Sequence, residues 1–149
     1  MSSGKPLIRL MELRDLDEVL EVEKNCFRSP WTKCMFEDEL YNSNAYYYVI
    51  EVNGKIAGYA GFWKIIDEAH ITNIAVHSDY RRRGYGKALV SALLDKAKEL
   101  EIIAVTLEVR VSNSAAISLY ESFGFVSSGV RRGYYSDNNE DALIMWLKL

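Results

Sequence analysis

The sequence predicts an α/β fold: a single domain with a mixed, mostly antiparallel sheet of about seven strands and about four flanking helices. Three observations carry that reading. Asn53-Gly54 stands between two β-rich runs, the strongest short signal for a hairpin. At Gly84 the pattern changes from β-branched runs to an apolar stripe at helical spacing. Strand-like and helix-like segments follow one another in the order β-α-α-β-β-β-α-β-α-β-β, with no repeat, linker or low-complexity run to divide residues 1–149.

Each element has a local reason. Leu7–Met11 reads as a short strand. Asp15, with Glu18 three residues later, reads as a capping box that opens a helix running to about Lys24 through Leu16, Val19, Leu20 and Glu23. Phe27 to Thr32 turns around Pro30, and Thr32 caps a second helix to about Tyr41 carrying Met35, Phe36 and Leu40. Strands follow over Ala45–Val52, Lys55–Ile65 and Ala69–Val76. Leu89, Val90, Leu93, Leu94, Ala97 and Leu100 form the stripe of the long helix, opposite Lys87, Ser91, Asp95 and Lys98. In the strand Ala104–Val109, Val105, Leu107 and Val109 share one face, and Thr106, Glu108 and Arg110 the other. Asn113 or Ser114 caps a helix through Phe123, which Gly124 stops. Strands at Phe125–Arg132 and Asp141–Leu149 close the chain around the polar loop SDNNE.

Composition narrows the function classes. The chain is 49% hydrophobic and 26% charged, ordinary for a globular protein. A net charge of −3 and a pI near 5.5 weigh against a general nucleic-acid binder. Cys26 and Cys34 form no C-x-x-C pair and read as free thiols of a reducing compartment. His70 and His77 have no ligand set around them, so no metal is expected. The first residues lack the apolar run of a leader, and no stretch has the length of a membrane span. The expectation is a cytoplasmic protein without a membrane partner.

The stretch YRRRGYGKAL, Tyr80–Leu89, joins a strand to a helix start. First-turn N–H groups have no intrahelical partner, and the helix dipole adds positive charge there. With glycines to let the backbone approach, this is a phosphate site in physical terms. A P-loop would need Gly at 81 and Ser or Thr at 88, where Arg81 and Ala88 stand. A dinucleotide fingerprint from Gly84 would need a small residue at 89, where Leu89 stands. R-x-x-G-x-G remains, with a solvated basic turn as its plain alternative.

A second motif, RVSNSAAISLYESFGF, runs from Arg110 to Phe125. Together with NIAV (73–76), RRRGYGKAL (81–89) and RRGYYSDNNEDALIMWL (131–147), it resembles the GNAT family of acetyl-CoA-dependent N-acetyltransferases. Within that family the resemblance is closest to enzymes that acetylate protein N-termini, specifically alanine of a small-subunit ribosomal protein. It covers nearly the whole chain and is weakest over the first 45 residues. It implies a GNAT domain with acetyl-CoA as co-substrate. Backbone amides of Arg82, Arg83, Gly84, Tyr85, Gly86 and Lys87 would wrap the pyrophosphate. Ile74, Ala75 and Val76 would pair with the pantetheine arm as an added strand does, and Asn113 would contact it too, a role compatible with capping. The chain departs from the family pattern at His77-Ser78, where an acidic residue and proline often stand. It departs again at Arg28-Ser29, two extra residues between Phe27 and the Pro30-Trp31 pair.

Acetyl transfer to an amine needs a neutral nucleophile and a protonated leaving thiol. Freeing an α-amine of pKa about 7.7–8.0 at pH 7 costs roughly 1 kcal/mol, against about 4.6 for a lysine. Glu108 is the candidate base, with a surface glutamate paired to Arg110 or a lysine as the alternative. Tyr120 is the candidate acid, or a core residue beside Ile117 and Phe123. By the resemblance, the Val76 N–H stabilises the carbonyl oxygen and the amine attacks directly. Tyr134 and Tyr135, read in the loop between the last two strands, would hydrogen-bond the acceptor peptide. Phe27 and Trp31 would form the opposite wall, although Trp31 also suits a core. Two other acceptors stay open, a lysine side chain or a small-molecule amine. A CoA-sensing or RNA-binding module using Arg81–Arg83 and Arg131–Arg132 is the non-enzymatic alternative.

Overall fold

A computed structural model describes residues 5–149; the first four residues, part of the stretch read for a leader, lie outside it. Among the described residues there are seven strands and four α-helices. In chain order they are β1 (Leu7–Leu10), α1 (Leu16–Cys26), α2 (Lys33–Leu40), β2 (Ala45–Val52), β3 (Lys55–Ile65), β4 (Glu68–Val76), α3 (Tyr85–Glu99), β5 (Ala104–Arg110), α4 (Ser114–Ser122), β6 (Val126–Tyr135) and β7 (Glu140–Lys148). The strands form one sheet in the order β1-β2-β3-β4-β5-β7-β6. Every pairing is antiparallel except β4 with β5.

Alternation along the strands divides the core between the two faces of the sheet. On one face Ile50, Ala60, Phe62 and Ile71 pack with Leu89, Val90, Leu93 and Ala97 of α3 and with Tyr120 of α4. On the other, Tyr47, Val49, Tyr59 and Ala75 pack with Leu16, Val19 and Val22 of α1 and Phe36 of α2. Phe36 is fully buried, 5.2 Å from the Trp31 ring and 5.4 Å from the Tyr59 ring. Truncating such a ring typically costs about 3–5 kcal/mol. This cluster therefore fixes α2 and the turn before it.

Most local signals act as read. Asn53 and Gly54 both have positive φ in the β2–β3 turn. Thr32 accepts the Met35 N–H, and Asn113 accepts the Ala116 N–H. Gly124 ends α4 at φ +99°, donating to the Glu121 carbonyl while Phe125 donates to that of Tyr120. That is a Schellman motif, and the Phe125 and Tyr120 rings pack 5.7 Å apart against it.

Two readings are corrected. Asp15 makes no side-chain cap to α1. Its carboxylate instead takes two hydrogen bonds from Arg9 and one from the Glu12 N–H, and Glu18 accepts the Ile56 N–H on β3. A charged pair and a strand amide outbid the local box. The last hairpin is also tighter than expected. β6 continues to Tyr135, which pairs with Glu140, so Tyr134 and Tyr135 end a strand and do not belong to the loop.

The parallel β4–β5 pair sets the site. It is registered only over Glu68–Ala104, Ala69–Val105 and His70–Thr106. Beyond it β4 stays with β3, and β5 stays with β7. The two strands part there, and the register of β4 shifts at Gly61/Phe62, leaving Thr72 as a bulge.

Candidate active site

The gap between β4 and β5 opens into a cavity of about 350 Å³. Phe27, Trp31, Ile74, Glu108, Asn113, Tyr120 and Tyr135, all singled out from the sequence, line it together. Arg28 and Ser29, the two extra residues, line it as well. Tyr134 is outside this lining, but its hydroxyl donates to Glu108 Oε1 at 3.4 Å.

Glu108 sits on β5 two residues past the last parallel pair. Its side chain is only 10% exposed, and its Oε1 is 2.7 Å from His70 Nε2 on β4. The His70 hydrogen bond outweighs burial and holds the carboxyl below the usual glutamate range. The group is therefore an ionised acceptor at neutral pH. The surface pairing with Arg110 does not form. Arg110 instead binds Asp137 at 2.8 Å and Glu140 at 3.2 Å, with its guanidinium 4.0 Å from the Tyr135 ring centre.

Tyr120 is buried against Phe125 and also lines the cavity, so its packing and site readings hold at once. Burial pushes its phenol well up, which keeps the proton on oxygen at neutral pH. Burial also raises Tyr134, and it raises Tyr135 to about 12.

A second cluster lies at the start of α3. Gly84 is the N-cap at φ +79°, a conformation that favours glycine, and no side chain caps the helix. The first-turn N–H groups of Tyr85, Gly86 and Lys87 have no intrahelical partners. Arg82, Arg83 and Lys87 are exposed. Arg81 is tied inward, its Nε donating to the Val76 carbonyl at 3.1 Å. This arrangement fits a phosphate group.

The β4 edge between the two clusters also has a readable polarity. His77 N–H donates to the Ala57 carbonyl of β3, and backbone direction alternates along a strand. The Val76 and Ile74 backbone groups therefore point away from β3. Ala75 turns its own backbone toward β3, so an added chain would meet residues 74 and 76 rather than all three.

Sequence reasoning missed three contributors. Glu23 is 1% exposed and lines the cavity. It accepts the Trp31 N–H at 2.9 Å and a short hydrogen bond from the Tyr59 hydroxyl, which in turn accepts from Asn73. Burial raises the Glu23 carboxyl and the Tyr59 phenol alike. His70 and Arg110 are the others. Glu23 in an otherwise apolar helix stripe was the one available signal; the partners of the other two are non-local.

The acetyltransferase (GNAT) family model matches residues 16–125. A Bacillus subtilis protein to which ribosomal protein bS18-alanine N-acetyltransferase activity is ascribed is 47% identical, over 97% of both chains. The ribosomal protein bS18-alanine N-acetyltransferase of Escherichia coli K12 is 39% identical, over 95% of this chain and 97% of that one. A crystal structure of the ribosomal-protein-S18-alanine N-acetyltransferase from Escherichia coli superposes with a TM-score of 0.89 at 38% identity, over 97% of this chain and 94% of that one. With its split sheet, its bare helix start and these relatives, the chain belongs to the GNAT family of N-acetyltransferases.

Proposed function

We propose that the protein acetylates the N-terminal alanine of ribosomal protein bS18 in the cytoplasm, with acetyl-CoA as donor. The observation that carries this is the convergence of Glu108 and Tyr120 on one cavity whose walls are Phe27, Trp31 and Tyr135. When bound, acetyl-CoA supplies an activated acetyl thioester.

The chain's own groups do the rest. The bare amides at the start of α3 and the cations Arg82, Arg83 and Lys87 hold the pyrophosphate. The outward backbone of Ile74 and Val76 aligns the pantetheine arm, with the Asn113 amide nitrogen as a further donor. The Val76 N–H faces the carbonyl oxygen as charge develops there. Glu108 takes a proton from the acceptor amine, directly or through a water. The roughly 1 kcal/mol needed to free an α-amine at pH 7 suits a carboxylate, whereas a lysine asks for about 4.6. Tyr120 delivers its proton to the departing thiolate. Tyr134 and Tyr135 hold the peptide backbone against Phe27 and Trp31.

Mass spectrometry of one reaction tests this. The protein and acetyl-CoA are mixed with a peptide carrying the bS18 N-terminus and a lysine, beside the same peptide with its terminus blocked. Acetyl on the free terminus alone is the expected result. Acetyl on lysine in both peptides would overturn the assignment of the acceptor.

A further inference from the structure

His70 lies outside the cavity lining, yet it meets Glu108 where the sheet gap begins. It is the last β4 residue in the parallel pair, and Glu108 projects from the first stretch of β5 beyond that pair. The two side chains close the point where the strands part, with Nε2 and Oε1 2.7 Å apart. His70 is itself supported. The Trp63 ring stands edge-on to the imidazole at 6.3 Å, and Trp63 Nε1 donates to Glu39 Oε2 on α2 at 2.8 Å. An aromatic wall anchored at its far end restricts the imidazole plane, and the imidazole restricts the carboxylate.

We propose that His70 is a positioning residue of the transfer reaction: it pins Oε1 of Glu108, so that the carboxylate presents its other oxygen to the acceptor amine. This rests on the reading of Glu108 as proton acceptor. The Tyr134 hydroxyl donates to the same oxygen at the longer distance of 3.4 Å, so without His70 only that weaker contact would hold the carboxylate. A carboxylate with one oxygen held by a charge-assisted hydrogen bond keeps its second oxygen in the cavity.

The same contact sets the charge state. The titratable and charged groups around Glu108 are His70 from β4 and Arg131, Tyr134 and Tyr135 from β6, with Glu39 of α2 behind Trp63. The His70 hydrogen bond is the largest influence that holds the carboxyl down, and burial is the largest opposing it. Without His70, burial remains, opposed only by the weaker influences of Arg131 and the Tyr134 hydrogen bond, so the carboxyl titrates at higher pH.

The test compares His70→Phe, His70→Gln and Glu108→Gln with the unaltered enzyme. A 13C NMR titration follows the Glu108 side-chain carboxyl, assigned by its loss in Glu108→Gln. The expected result for His70→Phe is a carboxyl midpoint moved to higher pH, with kcat at pH 7 reduced about ten- to a hundredfold and the KM for acetyl-CoA unchanged. Its acid limb of kcat should move to higher pH in parallel. His70→Gln, which offers a neutral N–H donor, should recover most of the activity. An unshifted Glu108 midpoint, or an unaltered kcat in His70→Phe, would overturn the proposal. So would equal inactivity of Phe and Gln variants with an unmoved acid limb, since that is what a merely structural histidine gives. If His70→Phe does not fold, His70→Ala takes its place in the titration and the kinetics, with the same expected shift and the same results that overturn the proposal. Glu108→Gln separates the two failures. If it is inactive while His70→Phe is normal, only the role of His70 falls. If Glu108→Gln is fully active, the reading of Glu108 itself falls.

Discussion

Replacing Arg110 with glutamine should loosen the acceptor wall and leave the cofactor side intact. The guanidinium ties the end of β5 to the β6–β7 loop through Asp137 Oδ2 at 2.8 Å and Asn138 Oδ1 at 3.0 Å, and it lies 4.0 Å from the Tyr135 ring centre. The Asp137 pair is partly exposed, 31% at Arg110 and 14% at Asp137, and such a pair is worth about 0.5 kcal/mol. A cation over a half-buried tyrosine adds about 1 kcal/mol. The sum, about 1.5 kcal/mol, corresponds to roughly a tenfold change in an equilibrium. The KM for an alanine-terminated peptide should therefore rise about tenfold, since Tyr135 must be ordered before the peptide can use it. The KM for acetyl-CoA should stay within twofold, because Ser112 N–H keeps its own hydrogen bond to Glu140 Oε2 beside Asn113. Initial rates with each substrate varied at saturation of the other give both constants. Melting temperature should fall by about 3–6 °C. An unchanged peptide KM, or a change confined to acetyl-CoA, would refute the reasoning.

Tyr120→Phe keeps the ring packed on Phe125 but removes the hydroxyl proposed as the proton donor; kcat should drop by about a hundredfold with both KM values retained. Equal kcat in steady-state assays would return Tyr120 to a packing role alone. Glu23→Gln addresses a buried carboxyl whose folded pKa is raised, mainly by desolvation. The stability such a group contributes is present below its unfolded pKa and lost as pH rises through the folded one. The melting temperature of Glu23→Gln relative to the unaltered protein should therefore climb between pH 4 and pH 8. Parallel curves by circular dichroism would contradict the assigned shift.

What the sequence made legible was local. Asn53-Gly54, Thr32, Asn113 and Gly124 act within a few residues of themselves, and each does in the fold what its chemistry suggests alone. The place of Glu108 in the cavity was reachable from strand alternation together with the family motif, and that of Tyr120, on a helix, from the motif. Non-local partners defeated the same style of reasoning. Asp15 and Glu18 have the spacing of a capping box, but Arg9 and the Ile56 N–H claim them. His70 carried no signal, since its partner stands 38 residues away across a strand gap. Tyr134 and Tyr135 were assigned to a loop because the polar run after them hides that β6 pairs as far as Glu140.

The short β4–β5 register has a consequence for the protein without its substrate. A sheet that parts in its middle leaves the Ile74 backbone groups and the Val76 N–H on an interior rim outside any strand ladder, while the Val76 carbonyl is taken by Arg81. On the proposed function, a pantetheine arm, which carries amide groups in a row, would serve as the missing half-strand, provided by metabolism and not by the gene. Whatever binds only the folded chain stabilises it by RT ln(1 + [L]/Kd), about 2.7 kcal/mol at a hundredfold excess over Kd. The abundance of intact enzyme in a cell would then track its acetyl donor, and starvation for that donor would thin out the catalyst as well as slow it.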